Sequence, residues 1–177
     1  MQSPDKKIVK DLRQLKEQLL AHKTLGRKII ATIGSWDMLH IGHLRYLNEA
    51  KKQGDVLLVG VDSDRGIKSY KGPLRPIIPE DERMEMLSYQ DCVDYVTLVD
   101  DIDKKGRWQY EIVKTLPVDV FVAVSGSSYT PEQIRTIKKY CKLHLLPRQA
   151  QKTSSTDIIQ NVLKNHLIDM VGQYKSR

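Results

Sequence analysis

GSWDMLHIGH, residues 34–43, decides how the rest of the chain is read. The run before it, Ile29-Ile30-Ala31-Thr32-Ile33, is apolar and β-branched and predicts a buried strand. After it, Leu44, Leu47 and Ala50 fall on one face of a helical pattern that Gly54 stops. The stretch is therefore a strand-to-helix turn. Such a turn points the free N–H groups of a helix N-terminus, with their positive dipole end, at an anion. Gly34 is expected to make the turn tight, and Gly42 to let a ligand approach the backbone with no Cβ in the way. His40 and His43 are three residues apart, so one helical turn sets them on the same side.

Three readings compete for this turn. The first is an ordinary βα turn carrying two surface histidines. The second is a metal site, but zinc takes three or four ligands. His22, His144 and His166 have no matching spacing, and Cys92 and Cys141 are far apart, so no protein-held metal is expected. The third is a triphosphate cradle, with two imidazoles donating to phosphate oxygens above a helix N-terminus, and it is the reading favoured here.

GSWDMLHIGH and the LRYLNEAKKQGDVLLVGVDSD after it resemble the opening of the cytidylyltransferase-like nucleotidyltransferases. Their pattern is G-x-F-D-x-x-H-x-G-H followed by L-x-x-A-K-x-x-G-D-x-L-x-V-G-V-x-S-D. Trp36 stands where Phe is usual. The resemblance runs from about Lys28 to Val162. KGPLRPIIPEDERMEML, with YQDCVDYV after it, is most similar to the sugar-phosphate branch that makes nucleotide-activated heptose. SSTDII is similar to the family's Ser-Thr-Thr-(Asp/Ser)-Ile-Ile, and chemically it is a second phosphate-binding helix start.

The resemblance implies a Rossmann-like, doubly wound parallel α/β sheet of about five strands. It implies His40, His43 and Lys71 as catalytic residues. Gly34, Ser35, Trp36, Gly42, Arg148, Ser154, Ser155 and Thr156 would bind the nucleotide. Asp37, Asp64, Lys68, Arg75, Arg83 and Ser125 would bind the acceptor. Mg²⁺ would arrive with the triphosphate. The expected reaction moves AMP from ATP to a sugar phosphate, heptose 1-phosphate first. The alternative is a CTP enzyme acting on a polyol or amino-alcohol phosphate. Two departures bear on this. The run RQAQK, residues 148–152, lacks the glycine of the family's Arg-Thr-x-Gly. Ser125 and Ser128 stand where the heptose branch has lysine and aspartate, so a donor to the acceptor is missing there.

Other classes fit less well. His40-Ile41-Gly42-His43 also spells the signature of class I aminoacyl-tRNA synthetases. Lys152-Thr153-Ser154-Ser155-Thr156 is a poor copy of their second motif, and 177 residues leave no room for an anticodon-binding domain. A non-catalytic nucleotide sensor would not need both histidines and the loop lysines.

Composition agrees. The chain is 40% hydrophobic and 29% charged, as expected of a globular protein. No apolar run approaches the length of a membrane span. The first residues lack the apolar region of a signal peptide. Two distant cysteines form no disulfide framework, which suits a reducing cytoplasm. The net charge of +7 is spread along the chain, which fits a small polyanion better than nucleic acid.

Residues 1–26 read as an added helix, with Ser3 as cap, Pro4 in its first turn and a stripe of Ile8, Val9, Leu12, Leu15, Leu19 and Leu20. It either packs on the nucleotidyltransferase domain, residues 27–177, or makes a contact in a homodimer. Further strands are expected at 56–61, 95–99, 118–124 and 143–146. Residues 65–79 read as a loop. Helices are expected from 79, over 108–116, over 130–140, and from 154 with Ile158, Ile159, Val162, Leu163, Leu167 and Met170 on the apolar face.

Overall fold

The computed structural model describes residues 3–126 and 129–175, with side chains through residue 167. Ser128 and the Met170 side chain lie outside the described residues. The elements are α1 (Pro4–Lys7), α2 (Leu12–Thr24), β1 (Ile29–Gly34), α3 (Ile41–Lys51), β2 (Val56–Asp62), α4 (Asp64–Lys71), α5 (Glu80–Ser88), β3 (Tyr95–Val99), α6 (Glu111–Thr115), β4 (Val120–Val124), α7 (Pro131–Ile137), β5 (Lys142–Leu146) and α8 (Ser155–Lys175).

The five strands form one sheet in the order β3-β2-β1-β4-β5, every pair parallel. Parallel strands are covered on both faces, which is why they read as unbroken apolar runs. Alternation divides their side chains. Ile29, Ala31 and Leu58 pack with Leu15, Leu19 and Phe121 on one face. Ile30, Leu57 and Val59 pack with Leu47, Met84 and Val122 on the other. Chain order reverses between β1 and β4, where an open α/β sheet binds its ligands. The β1–β2 ladder has six residue pairs, but the β1–β4 ladder has only Ile30 with Val120 and Ala31 with Phe121. The strands part above Ala31 and leave a crevice, and GSWDMLHIGH lies at its edge.

Four segments differ from the sequence reading. The N-terminal helix is two helices. Ile8 is extended and pairs with Val96, and the Val9 N–H donates to the Val96 carbonyl at 2.9 Å. This segment covers the exposed edge of β3. The Asp11 carboxylate then caps α2, accepting from the N–H groups of Arg13 at 2.8 Å and Gln14 at 3.0 Å. Residues 64–71 are helix α4 rather than loop. Ser63 Oγ accepts from the Gly66 N–H at 2.9 Å, Ile67 is buried, and Gly72 at φ 91° ends the helix. Trp108 is not helical but pairs antiparallel with Ile102, and α6 begins only after Tyr110 at φ 66°. On α8, Ile158 and Ile159 are half-buried, whereas Val162, Leu163 and Leu167 are exposed.

Leu15 is fully buried and Leu20 is 46% exposed. Leu15→Ala is therefore expected to cost about 2–5 kcal/mol in urea unfolding, and Leu20→Ala within about 0.5 kcal/mol. Equal losses at the two positions would contradict this packing.

Candidate nucleotide site

The crevice opens into a cavity of about 1030 Å³. The motif is shaped below it. Trp36 and Met38 take positive φ, 51° and 53°, so they rather than Gly34 make the turn. The Trp36 indole N–H donates to the Gly60 carbonyl at 2.9 Å, and its ring meets His43 edge-on at 5.5 Å between centroids. Gly42 also serves a purpose other than ligand approach. A Cβ there would stand 2.8 Å from the Ala150 Cβ and 2.9 Å from His40 Cε1.

Two buried charges brace the turn. Asp37 is fully enclosed and accepts from the N–H groups of Ile77 and Ile78, each at 3.1 Å, and from Arg75 Nε at 2.7 Å. Burial pushes its pKa up, but the Ile78 and Ile77 amides with Arg75 outweigh that and hold the carboxyl below its ordinary range. Arg83 is also fully enclosed. Its guanidinium donates to the carbonyls of Ile78 at 2.9 Å, Asp62 at 2.9 Å and Ser35, and to Asp64 Oδ1 at 2.7 Å. The last helix joins from the other side, where Ser155 Oγ donates to the Asp37 carbonyl at 2.6 Å.

The histidines begin α3 as a reciprocal cap. His40 Nδ1 accepts from the Gly42 N–H at 3.1 Å, and His43 Nδ1 accepts from the His40 N–H at 3.4 Å. Each accepting Nδ1 leaves the proton on Nε2. The rings stack with centroids 4.0 Å apart. Burial, then His40 and Lys71, pull the His43 pKa down to about 4. Burial, then Arg148, lowers that of His40. At neutral pH the pair is thus two uncharged Nε2–H donors.

Gly34, Ser35, Trp36, Gly42, His40 and His43 line the cavity, as do Lys71, Arg75 and Arg148. So do Ser154, Ser155 and Thr156 at the start of α8. Lys71 Nζ donates to Ser35 Oγ at 2.7 Å, and burial, then Arg75, lowers its pKa. Ser154 Oγ accepts from the Asp157 N–H at 3.1 Å, so it is the cap of α8.

Five residues expected to touch the acceptor do not line the cavity. Asp37 and Arg83 are consumed by the bracing just described, and Asp64 is Arg83's partner. Lys68 is exposed on α4. Ser125 is exposed, with its N–H donating to the Leu146 carbonyl at 2.7 Å. In their place Asp62, Asp101, Trp108 and Tyr129 reach the cavity. Asp62 ends β2 and follows the rule for strand C-terminal ends, whereas Asp101 and Trp108 come from the loop between β3 and α6 and Tyr129 from the loop before α7, with no motif to announce them. Among the described residues no group of three or more His, Cys, Asp and Glu side chains is placed to hold a metal ion. No helix there is long and apolar enough to cross a membrane.

The protein-family model described as "Cytidylyltransferase-like" matches residues 31–161, the span from β1 into α8. This chain belongs to the cytidylyltransferase-like family. Among curated relatives it is 36% identical over 162 residues to the bifunctional protein HldE of Trichlorobacter lovleyi, covering 89% of this chain and 31% of that protein. It is 37% identical over 159 residues to HldE of Geobacter metallireducens, covering 88% and 31%. The chain thus spans about a third of the length of these relatives. They agree with the resemblance to the sugar-phosphate branch. Among solved structures, a lipopolysaccharide core biosynthesis protein from Thermoplasma volcanium superposes with a TM-score of 0.57 at 24% identity, covering 71% of this chain and 99% of that one. A pantoate-beta-alanine ligase from Francisella tularensis superposes at 0.54 and 16%, covering 85% and 74%. At these identities the likeness is one of fold.

Replacing Arg83 with Met strands three half-buried carbonyls and Asp64. The loss expected is about 3–5 kcal/mol, the scale for breaking a buried charged network. Lys68→Met, on the exposed face of α4, should change stability by no more than about 0.5 kcal/mol. Guanidinium unfolding of both variants tests this, and an Arg83→Met midpoint equal to wild type would remove the brace from the account.

Proposed function

We propose that the chain moves AMP from ATP onto the phosphate of a sugar phosphate, heptose 1-phosphate first, releasing pyrophosphate. The observation that carries this reading is the pair of uncharged Nε2–H imidazoles above the α3 N-terminus, sharing one cavity with the α8 start and with Lys71, Arg75 and Arg148. In this reading an acceptor phosphate oxygen attacks the α-phosphorus of the triphosphate in line. The new P–O bond forms as the bond to the β-phosphate oxygen breaks, and that electron pair leaves on pyrophosphate. A phosphate monoester is already an anion at neutral pH, so no activated serine or cysteine is needed. The protein positions the reactants and stabilises charge.

His40 and His43 donate to the phosphate oxygens as charge grows. Lys71, Arg75 and Arg148 offset the charge of the chain of phosphates. Ser154, Ser155 and Thr156 hold it from the α8 side. Mg²⁺ carried by the triphosphate supplies further charge neutralisation and needs few protein ligands. The catalytic unit is residues 27–177, and residues 1–26 serve packing. Donor choice follows the KGPLRP segment and Arg83, whose likeness is to the branch that uses ATP. A CTP-dependent enzyme is the competing reading.

A matrix of ATP, CTP, GTP and UTP against sugar 1-phosphates and polyol phosphates, read by pyrophosphate release, tests this. Turnover is expected with ATP and a sugar 1-phosphate. His43→Ala should lower kcat by a factor of about 10² or more, the effect of removing one preorganised donor. Turnover with CTP and none with ATP would overturn the donor assignment, and an undiminished His43→Ala enzyme would overturn the mechanism.

A further inference from the structure

The cavity lining has two characters. His40, His43, Lys71, Arg75 and Arg148 are suited to phosphates. Asp62, Asp101, Trp108, Tyr129 and Gln133 share the same cavity and are not. A carboxylate repels phosphate, so this acidic and aromatic part must meet something else.

Its hydrogen-bonding capacity is largely unspent. Asp62 Oδ2 accepts from the Tyr70 hydroxyl at 2.6 Å, and Oδ1 makes no hydrogen bond among the described residues. The Tyr129 hydroxyl makes none there either, although burial, with Asp62 next, raises its pKa well above the ordinary value. Gln133 Oε1 accepts from the Thr130 N–H at 2.8 Å, and its amide NH₂ makes no hydrogen bond among the described residues. Asp101 Oδ2 accepts from the Glu111 N–H at 2.6 Å. Among the described residues, Asp101 Oδ1 and Trp108 Nε1 are both buried without a hydrogen-bond partner. Burial pushes the Asp101 pKa up to about 6, opposed first by the Glu111 N–H and then by the nearby Trp108 indole.

We propose that Asp62, Asp101, Trp108, Tyr129 and Gln133 form the subsite that recognises the polyhydroxyl body of the acceptor. The inference rests on the nucleotidyl-transfer reading above and assigns which residues select the acceptor. The carboxylates only accept, the amide and indole N–H groups only donate, and the phenol does both. A sugar hydroxyl donates and accepts at once, so a ring with several hydroxyls can satisfy the whole set. A primary ammonium has only donors and leaves Gln133 and Trp108 unmatched. A quaternary ammonium makes no hydrogen bonds at all. The Trp108 and Tyr129 rings, with centroids 6.1 Å apart, supply apolar faces beside these polar groups. The set also answers the departure at Ser125. A donor lost after β4 is offset by the Gln133 amide in the first turn of α7, eight residues further along the chain.

The test uses Asp62→Asn and the near-isosteric Tyr129→Phe, with folding checked by circular dichroism. Calorimetry measures ATP alone and a sugar 1-phosphate alone, and steady-state assays give KM for each substrate. Both variants are expected to raise the sugar-phosphate KM and Kd by about tenfold or more, the effect of one hydrogen bond involving a charged or buried group. ATP affinity should stay within about twofold of wild type. Wild-type protein should not turn over phosphoethanolamine or phosphocholine. An unchanged sugar-phosphate KM in both variants would overturn the subsite, as would wild-type turnover of either amino-alcohol phosphate that the variants lose. Sugar phosphate binding that the variants weaken, in a protein that binds no nucleoside triphosphate, would support the subsite and sink the transfer reading. Binding of neither ligand would sink both.

Discussion

The Arg83 guanidinium ties together three pieces of chain at one buried point. Its N–H groups reach the Ser35 carbonyl in the motif, the Asp62 carbonyl at the end of β2 and the Ile78 carbonyl before α5. Burying a cation this deeply is costly unless every donor finds an acceptor. That cost makes the arrangement specific. Asp37 does the complementary work with the opposite sign, taking backbone N–H groups from the same 77–78 stretch. The motif turn is thus fixed from below by two buried charges and from the side by Ser155. A site that must place donors around a reacting phosphorus gains from such rigidity, because preorganised groups need not rearrange as charge develops.

The same rigidity sets the chemistry of the histidines. Their Nδ1 atoms are committed to backbone N–H groups within the α3 cap, so the tautomer is decided before any ligand arrives. Burial and the neighbouring cations then keep His43 neutral. An uncharged imidazole donor avoids the cost of adding a further cation, this one buried, beside Lys71, Arg75 and Arg148 in the absence of phosphate. Once phosphate is present its charge favours the imidazolium form, so donation strengthens when it is needed.

Much of the frame was legible in the residues. The five strands and the α3 turn stand out because parallel strands covered on both faces carry uninterrupted β-branched runs. The α4 helix was not, because Gly66 and the prolines beyond Gly72 mimic a loop, and the Ser63 cap that starts it is local chemistry hidden among them. The N-terminal break was hidden by a stripe that keeps helical spacing through Ile8 and Val9, although those residues join the edge of β3. Around the site, the two histidines and the Ser154–Thr156 helix start line the cavity at the spacing the sequence shows. Arg83 and Asp37 did not, since their partners are backbone groups from distant segments, and a sequence shows the charge of an arginine but not the carbonyls around it. The acidic and aromatic lining was invisible for a related reason. Its members come from β2, the turn after β3, the start of α7 and the loop between, and only the fold makes them neighbours.

The central claim is that two neutral imidazoles stand ready to donate to a triphosphate. A histidine in an unfolded chain takes its proton near pH 6.5, whereas folded His43 resists protonation down to about 4. The folded state therefore keeps its full stability above that upper value and loses the His43 contribution as pH falls toward the lower one. A bound polyanion acts in the opposite sense and raises the imidazole pKa. Nitrogen-15 NMR of the histidine rings, titrated with and without ATP and Mg²⁺, reads this directly. The account predicts that His43 is a neutral Nε2–H tautomer at pH 6 in the free protein, with its midpoint moving upward on adding ATP. A His43 that titrates near its unfolded value and ignores ATP would contradict it.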